Sequence, residues 1–457
     1  TRVLDRCRKV VVILSGNGRN RLVPTSRKEM FEEIIGYAAA EIRKSNIMVV
    51  VVEPYMLNKK HWNDDLNVLS DLDVLDWTTQ HQREQGLENL SDWVLAEEKM
   101  ILDSPYENAI DRLDKKLCQL SDIVEYMDEY EDDARIQWKS CRWIGSLEPY
   151  RISDVNTLHI EERQRITEID VPRRIIRAMK RFSYNADVQS FGCASLWHLS
   201  RNDQNKVAFM NNDVGKLLMT IMDIHWRRED VQIYACSVLW NLAVQDSNRA
   251  RLLTMDADKR ILKAMDMFTE NAAVQEKASG ALWCLSFSEL MQKDSRQQAV
   301  VRILRAMDCN LESENVQLFA LRACMNLSFD RRTGLDVTQR VLTAMDKHIN
   351  SKEFQYESVK VLRHLQFNQG LGAPLMRQDV GSRLLKAMTT HIEDARIHTT
   401  AFRIILNLAK ESIHRLTFQN LNAKQTIELA CSKHPENAEM RFIADRALTF
   451  IFKELST

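Results

Sequence analysis

The sequence predicts an all-α solenoid of about eight three-helix repeats, and three observations carry that expectation. "DVQSFGCASLWHLS" at 187–200, "DVQIYACSVLWNLA" at 230–243 and "AVQEKASGALWCLS" at 273–286 are one phrase written at intervals of 43 residues. A second motif, "RILKAM" and its variants, ends nine residues before each phrase reaches its Val, and that offset never changes. Finally, 457 residues contain only 12 Gly and 7 Pro, and so few breakers favour helix over a loop-rich β fold.

With the Val of "VQ" as position zero, the equivalents are Ile136, Val188, Val231, Val274, Val316, Phe354, Ile397 and Met440. The closing residues of the second motif are Met127, Met179, Met222, Met265, Met307, Met345, Met388 and Cys431. Separations from Val188 onward are 43, 43, 42, 38, 43 and 43, and loops between the fixed segments absorb the variation. The repeats cover residues 121–457, which leaves 1–120 as a separate N-terminal region.

The third helix of each unit starts near position zero. Position +4 is small (Ser140, Gly192, Ala235, Ala278, Ala320, Ser358, Ala401, Ala444), while +8 and +11 are mostly apolar, as in Leu239 and Leu242. Spacings of 4, 4 and 3 put these residues on one helix face, and a small residue there lets a neighbouring helix approach closely. "KLLMTIM" and its equivalents form the amphipathic second helix. Short segments such as "DQNKVAFM" and "DSNRARLL" form the first, which ends at Asp-Val or Asp-Ala, where a turn is expected. Such a unit cannot bury its apolar face alone and must stack on its neighbours.

Composition excludes several classes. The formal net charge of −1 argues against nucleic-acid or membrane-surface binding held by bulk electrostatics. Nine Cys with no Cys-x-x-Cys pair read as reduced thiols in a cytoplasmic compartment. The runs "VVVILS" and "IMVVVV" are too short to span a bilayer, and the visible start lacks a signal-peptide layout. No P-loop, Gly-x-Ser-x-Gly or zinc-protease motif is present, so the chain reads as a non-enzyme without cofactor or metal. His225, His348, His391 and His434 all lie three residues after the Met position. Stacked helices about 8–10 Å apart cannot bring them to one zinc ion, so they read as helix-end residues. Asp223, Asp266, Asp308 and Asp346 recur for repeat reasons. Trp197, Trp240 and Trp283 at +9 read as packing between repeats.

The phrases "GCASLWHLS", "ACSVLWNLA", "ASGALWCLS" and "ALRACMNLS" resemble the armadillo repeat family over about three quarters of the chain. The resemblance implies a right-handed superhelical solenoid whose third helices line a concave groove for extended peptides or partner proteins. It also implies that +6, +10 and +13 face that groove. At +10, Asn241, Asn326 and Asn407 match the family's ladder, in which an amide pairs with ligand backbone because it both donates and accepts. The Trp that nuclear-import receptors carry four residues before that Asn is absent, against an import-receptor role. Arg322, Lys360, Arg403 and Arg446 occupy +6 in four consecutive repeats, Lys410 and Lys453 add charge at +13, and Phe287, Phe329 and Phe367 occupy +13 in the middle repeats. Two readings of this row stay open: a stripe for an acidic, partly apolar segment, or a solvated face with intramolecular carboxylate partners.

Residues 1–120 also admit two readings. Aligning Val3 as a further zero position gives Cys7 at +4, Val11 at +8 and Leu14 at +11, a degenerate helical repeat, and this reading is favoured. The alternative is strand–helix–strand through "RKVVVILSGNGRNRLV" and "IMVVVVEP", which makes Gly16 and Gly18 a ligand loop in a small α/β module. Residues 58–120 are acidic, helical in pattern and carry Trp62, Trp77 and Trp93; residues 148–170 read as a surface loop. The functional expectation is a protein–protein interaction scaffold whose partners are other proteins. Its alternatives are a structural subunit of a large cytoskeletal or membrane-associated assembly, or a scaffold fused to an N-terminal nucleotide-binding module.

Overall fold

The computed structural model describes residues 10–14, 47–51, 74–76, 105–146, 170–327, 330–369 and 372–452, which fall in two compact units, residues 1–115 and 116–457. In the first unit, β1 (Val10–Leu14), β2 (Ile47–Val51) and β3 (Val74–Asp76) form a parallel sheet in the order β1-β2-β3. Val10 stands opposite Ile47 and Leu14 opposite Val51, while Val49 stands opposite Val74. The favoured helical alignment, with Val11 and Leu14 on one helix face, is therefore corrected at 10–14. Consecutive Val residues lose χ1 freedom in a helix, and unbroken apolar runs suit a parallel strand. A helix, Pro105–Asp114, buries Ala109, Ile110 and Leu113. Gly16, Gly18, Trp62, Trp77 and Trp93 lie outside the described residues.

The second unit is helical throughout its described residues. Third helices run Ala134–Ile144, Ala186–Leu199, Glu229–Ala243, Ala272–Leu285, Glu314–Asn326, Lys352–Gln369, Ala395–Leu408 and Ala438–Ile451, and each packs against the next. Except in repeat 3, where Arg228 makes no cap, the described N-terminal turns are capped by the side chain three residues before position zero. Asp133, Asn185, Asn271 and Asn437, for example, accept from the backbone N–H of Ile136, Val188, Val274 and Met440 at 2.9–3.1 Å. Position +4 is fully enclosed wherever it holds Ala or Ser. The surface loop expected at 148–170 lies outside the described residues, apart from Asp170.

In repeats 3, 4, 7 and 8 the first and second helices meet at a two-residue joint whose second residue is left-handed: Asp213, Asp256, Asp379 and Asn422, like Asp170 ahead of Val171–Arg181, have φ between 52° and 62°. Asp and Asn tolerate this conformation because their short polar side chains bond locally. Repeat 5 carries Gln298 at this place, and its first and second helices fuse into Lys293–Cys309. Repeat 6 has the same Asp-Val dipeptide as its neighbours, Asp336-Val337, yet runs unbroken as Arg331–Lys347. The turn expected at Asp-Val is thus absent in repeat 6.

Three rows of side chains tie the units together. Gln at +1 donates Nε2–H to two backbone carbonyls at the end of its own second helix: Gln275 reaches Met265 O at 2.9 Å and Phe268 O at 2.8 Å. Gln137, Gln189, Gln232, Gln317 and Gln355 do the same. The first carbonyl of each pair lies in the last turn of its helix, where the usual backbone donor is missing, while the second also accepts a backbone N–H, as Phe268 O does from Asn271 at 3.1 Å. The histidine row clasps neighbouring repeats, with Nε2 of His225, His348, His391 and His434 at 2.7–3.1 Å from carbonyls of Ser183, Leu311, Ile349 and Ile392. The aspartates beside the Met row pair with the following repeat: Arg260 with Asp223 at 2.8 Å, Arg302 with Asp266 at 2.8 Å, Arg340 with Asp308 at 2.7 Å and Arg383 with Asp346 at 3.1 Å. Exposed pairs of this kind fix register more than they stabilise.

Repeat 7 breaks the glutamine rule. His398 takes the +1 place, and its Nε2 meets Ile392 O at 2.8 Å, the same oxygen that His434 meets at 3.1 Å. Both rings donate to that oxygen, their centroids are 5.5 Å apart, and His398 Nδ1 is buried without a partner. Burial holds the His398 pKa below its ordinary value, and the neighbouring His434 adds to the effect, against the opposing pull of Asp394 and Glu393. A base with a depressed folded pKa binds more protons when unfolded, so stability is full above the unfolded value of about 6.5 and falls below it. The loss approaches about 1.4 kcal/mol per pH unit while the folded ring stays neutral. Denaturant midpoints at pH 7.5 and 5.5 should diverge less in His398→Gln, which restores the residue of repeats 1 to 6. Equal divergence in both proteins would remove His398 from the account.

Candidate partner-binding groove

The candidate site lies on the outward rows of the third helices. In repeats 2 to 4 the +6 and +10 rows are largely covered, while Phe287 at +13 is 53% exposed with Arg249 over its ring at 5.4 Å. Asn241 directs Nδ2 into the neighbouring repeat, donating to Trp197 O at 3.2 Å and Ser200 Oγ at 2.9 Å. Trp240 covers the +6 place of the next repeat: a Cβ built on Gly280 would stand 2.7 Å from its ring. Lys277 lies over both Trp197 and Trp240, at 5.6 and 5.7 Å, and Trp240 meets Phe319 edge-on at 4.5 Å. The three tryptophans are half-buried. They seal seams between third helices, with ring edges left at the surface, so the core packing expected for them is incomplete.

The basic row is partly self-neutralised. Glu357, 6% exposed, sits between Arg322 at 3.2 Å and Lys360 at 2.8 Å, so this buried carboxylate is compensated by two cations. Arg322 also lies over Trp283 at 5.3 Å. Arg403 pairs with Glu439, and Arg446 extends over Phe442 at 5.8 Å. Arg322, Lys360 and Arg403 thus have intramolecular partners, whereas among the described residues Arg446 has no carboxylate.

Between repeats 5 and 6 the surface opens. A cavity of about 260 Å³ is lined by Met325, Lys360, Arg363, His364 and Phe367. Arg363 lies over the Phe367 ring at 5.7 Å and has no carboxylate partner among the described residues. Phe367 is 56% exposed, and partial burial lowers the His364 pKa. Nearby on the same row, Asn326 Nδ2 is buried with no hydrogen-bond partner, an arrangement that costs about 1–3 kcal/mol unless a ligand supplies the acceptor. One repeat beyond the cavity, Asn407 is half-buried and makes no side-chain hydrogen bond among the described residues. Phe329 and Lys453 lie outside them. Sequence reasoning singled out Lys360 and Phe367 here and missed Arg363, His364 and Met325. The signal was available in the +9 row, where Trp in three repeats gives way to Met325 and then Arg363.

No helix among the described residues is long and apolar enough to cross a membrane. Residues 146–289 match the family model described as the LRRK2 ARM repeat. No curated protein matches the sequence. Among solved structures, a chain from work on the phosphorylation switch controlling the interaction between cadherin and beta-catenin superposes with a TM-score of 0.54 at 13% identity. The match covers 72% of this chain and 64% of that one, under two thirds of its length. Repeat phase, the recurring triplet of helices and these two likenesses agree on the fold: the described residues of 116–457 form an armadillo-like α-solenoid.

Proposed function

We propose that the protein is a non-enzymatic interaction scaffold, and that the third-helix face of repeats 5 to 7 holds an extended acidic, partly apolar segment of a partner protein. The observation that carries this reading is the cavity between repeats 5 and 6. It offers an unneutralised guanidinium in Arg363, an exposed ring in Phe367 and, on the same row, the unpartnered amide of Asn326. An acidic side chain would meet Arg363 and Lys360, an apolar one would cover Phe367 and Met325, and ligand backbone would satisfy Asn326 and Asn407. Arg403 and Arg446 continue the charge toward repeat 8. That a similar fold comes from work on the interaction of cadherin with beta-catenin supports a protein partner. The free, buried thiols of Cys141, Cys193, Cys236 and Cys324 support a reducing cytoplasmic setting.

The test uses a displayed library of 16-residue peptides selected against the full chain. Selected sequences should combine Asp or Glu with an aromatic or aliphatic residue. Arg363→Glu with Phe367→Ala should weaken them roughly a hundredfold, since a charge-assisted contact is worth about 1.5–3 kcal/mol and ring burial adds to it. Lys360 is left intact because reversing it would strand Glu357. Selected peptides that bind the double variant equally would sink the groove reading. The structural-subunit reading would then lead, favoured by Ile413, Leu416 and Phe442, which leave repeat 8 with apolar side chains 74%, 60% and 62% exposed.

A further inference from the structure

We infer that the second-helix side of the junction between repeats 2 and 3 is a binding site for a ligand carrying several phosphate groups. Along the Asp–Arg ladder, the residue after the Met position pairs with an Arg of the following repeat. At this junction Lys180 stands where the ladder has Asp, and Leu217 stands where it has Arg. In place of an ion pair there is a cavity of about 570 Å³ lined by Arg173, Ile176, Arg177, Lys180, Arg181 and Asn212. Four of those residues are cations and none is a carboxylate.

The cations lie along one face of the helix Val171–Arg181. From Arg173 to Arg181 is eight residues, about 12 Å of helix axis. Repeat 1 holds two of them side by side, Arg177 on Asp128 at 2.6 Å and Arg181 on both Glu131 at 3.5 Å and Asp132. Arg174 also engages Asp128, at 2.6 Å, so that carboxylate is shared between two guanidiniums. Arg173 and Lys180 have no ion-pair partner among the described residues. The nearby Asp213 is held by Lys216 at 3.1 Å, with its carboxyl below the ordinary range because of that contact and the field of Lys180 and Arg251. Positive charge is thus concentrated on 12 Å of helix in a chain whose formal net charge is −1. Guanidinium forks match phosphate oxygens in pairs, and only a densely charged anion can engage several cations within so short a span. An extended acidic peptide, with its charges strung out about 3.3 Å per residue, suits the long third-helix face better than this cavity. The phosphates could belong to a soluble polyphosphate or to a phosphorylated lipid headgroup.

The full chain is titrated calorimetrically with sodium tripolyphosphate in 0.1 M salt. In parallel it is co-sedimented with phosphatidylcholine vesicles containing either phosphatidylinositol bisphosphate or phosphatidylserine at equal charge. One tripolyphosphate should bind per chain, and Lys180→Asp, which puts the ladder residue back, should weaken it at least tenfold while the circular dichroism melt stays in place. Lys424→Asp, the same charge change on repeat 8, should leave binding unchanged. Sedimentation with the bisphosphate vesicles but not the serine ones would assign the headgroup source, and tripolyphosphate binding without sedimentation would assign the soluble one. Equal affinity in wild type and Lys180→Asp, equal loss in Lys424→Asp, or no tripolyphosphate binding would overturn the site. Arg173→Ala, weakening the anion without adding a negative charge, guards against an effect of the new carboxylate alone.

Discussion

Gln275→Glu should destabilise the solenoid by about 3–5 kcal/mol at neutral pH, the range for a buried charge left without compensation. The substitution is nearly isosteric, so packing is not its cause. Gln275, 1% exposed, supplies both N–H groups to Met265 O and Phe268 O, and an ionised carboxylate supplies none while facing two acceptor oxygens. Protonation returns one donor. The introduced carboxyl therefore has a folded pKa above its unfolded value, and the variant should recover stability as pH falls through that folded pKa. Denaturant unfolding at pH 7.5 and 5.0 would show the variant closing part of its gap to wild type in acid. A loss independent of pH would mean that the two carbonyl bonds are not the reason for the residue.

Gly280→Val should cost about 3 kcal/mol, the upper end of overpacking penalties. A Cβ at 280 would lie 2.7–2.9 Å from three atoms of the Trp240 ring, and an indole plane has no internal torsion with which to yield. Gly192 offers the contrast: there a Cβ would approach Cγ and Sδ of Met179 at 2.6 and 2.7 Å, and a thioether chain can turn aside. The ordering Gly280→Ala worse than Gly192→Ala follows, and thermal melts read it directly. Indole fluorescence separates mechanism from outcome, since only the 280 variants should shift Trp240 toward water. A Gly280→Val protein melting with wild type would show that the seam is looser than the observed contact.

The phase of the repeats was legible because their unit is a packing unit. Small residues at +4 and apolar ones at +8 and +11 must recur wherever a third helix meets its neighbours, and they are the buried positions of the fold. The chemistry at each joint was less legible. Gln at +1 was used to set the register without its purpose being seen, since nothing in a linear pattern says that its amide reaches back ten residues to a carbonyl. Asp336-Val337 and Asp379-Val380 are the same dipeptide, yet one is helical and the other follows a left-handed break. Neighbouring packing decides that choice. The Asn row shows the same limit: Asn241 and Asn326 share a position, yet Asn241 donates to Trp197 O and Ser200 Oγ while Asn326 Nδ2 is buried with no partner. Near the N-terminus the eight helical repeats argue for helix, but at 10–14 the local preference of three consecutive valines prevails.

The two fused helices, Lys293–Cys309 and Arg331–Lys347, have a mechanical meaning. Each is 17 residues of unbroken backbone, about 25 Å of strut, where repeats 3, 4, 7 and 8 divide the same path at a two-residue joint. Strain applied along the array concentrates at the jointed repeats, because a left-handed residue between two short rods turns more readily than a hydrogen-bonded cylinder bends. Repeats 5 and 6 then behave as a splint in a compliant spring. The cavity carrying Met325, Lys360 and Phe367 belongs to that splint, so it keeps its shape while the units on either side flex.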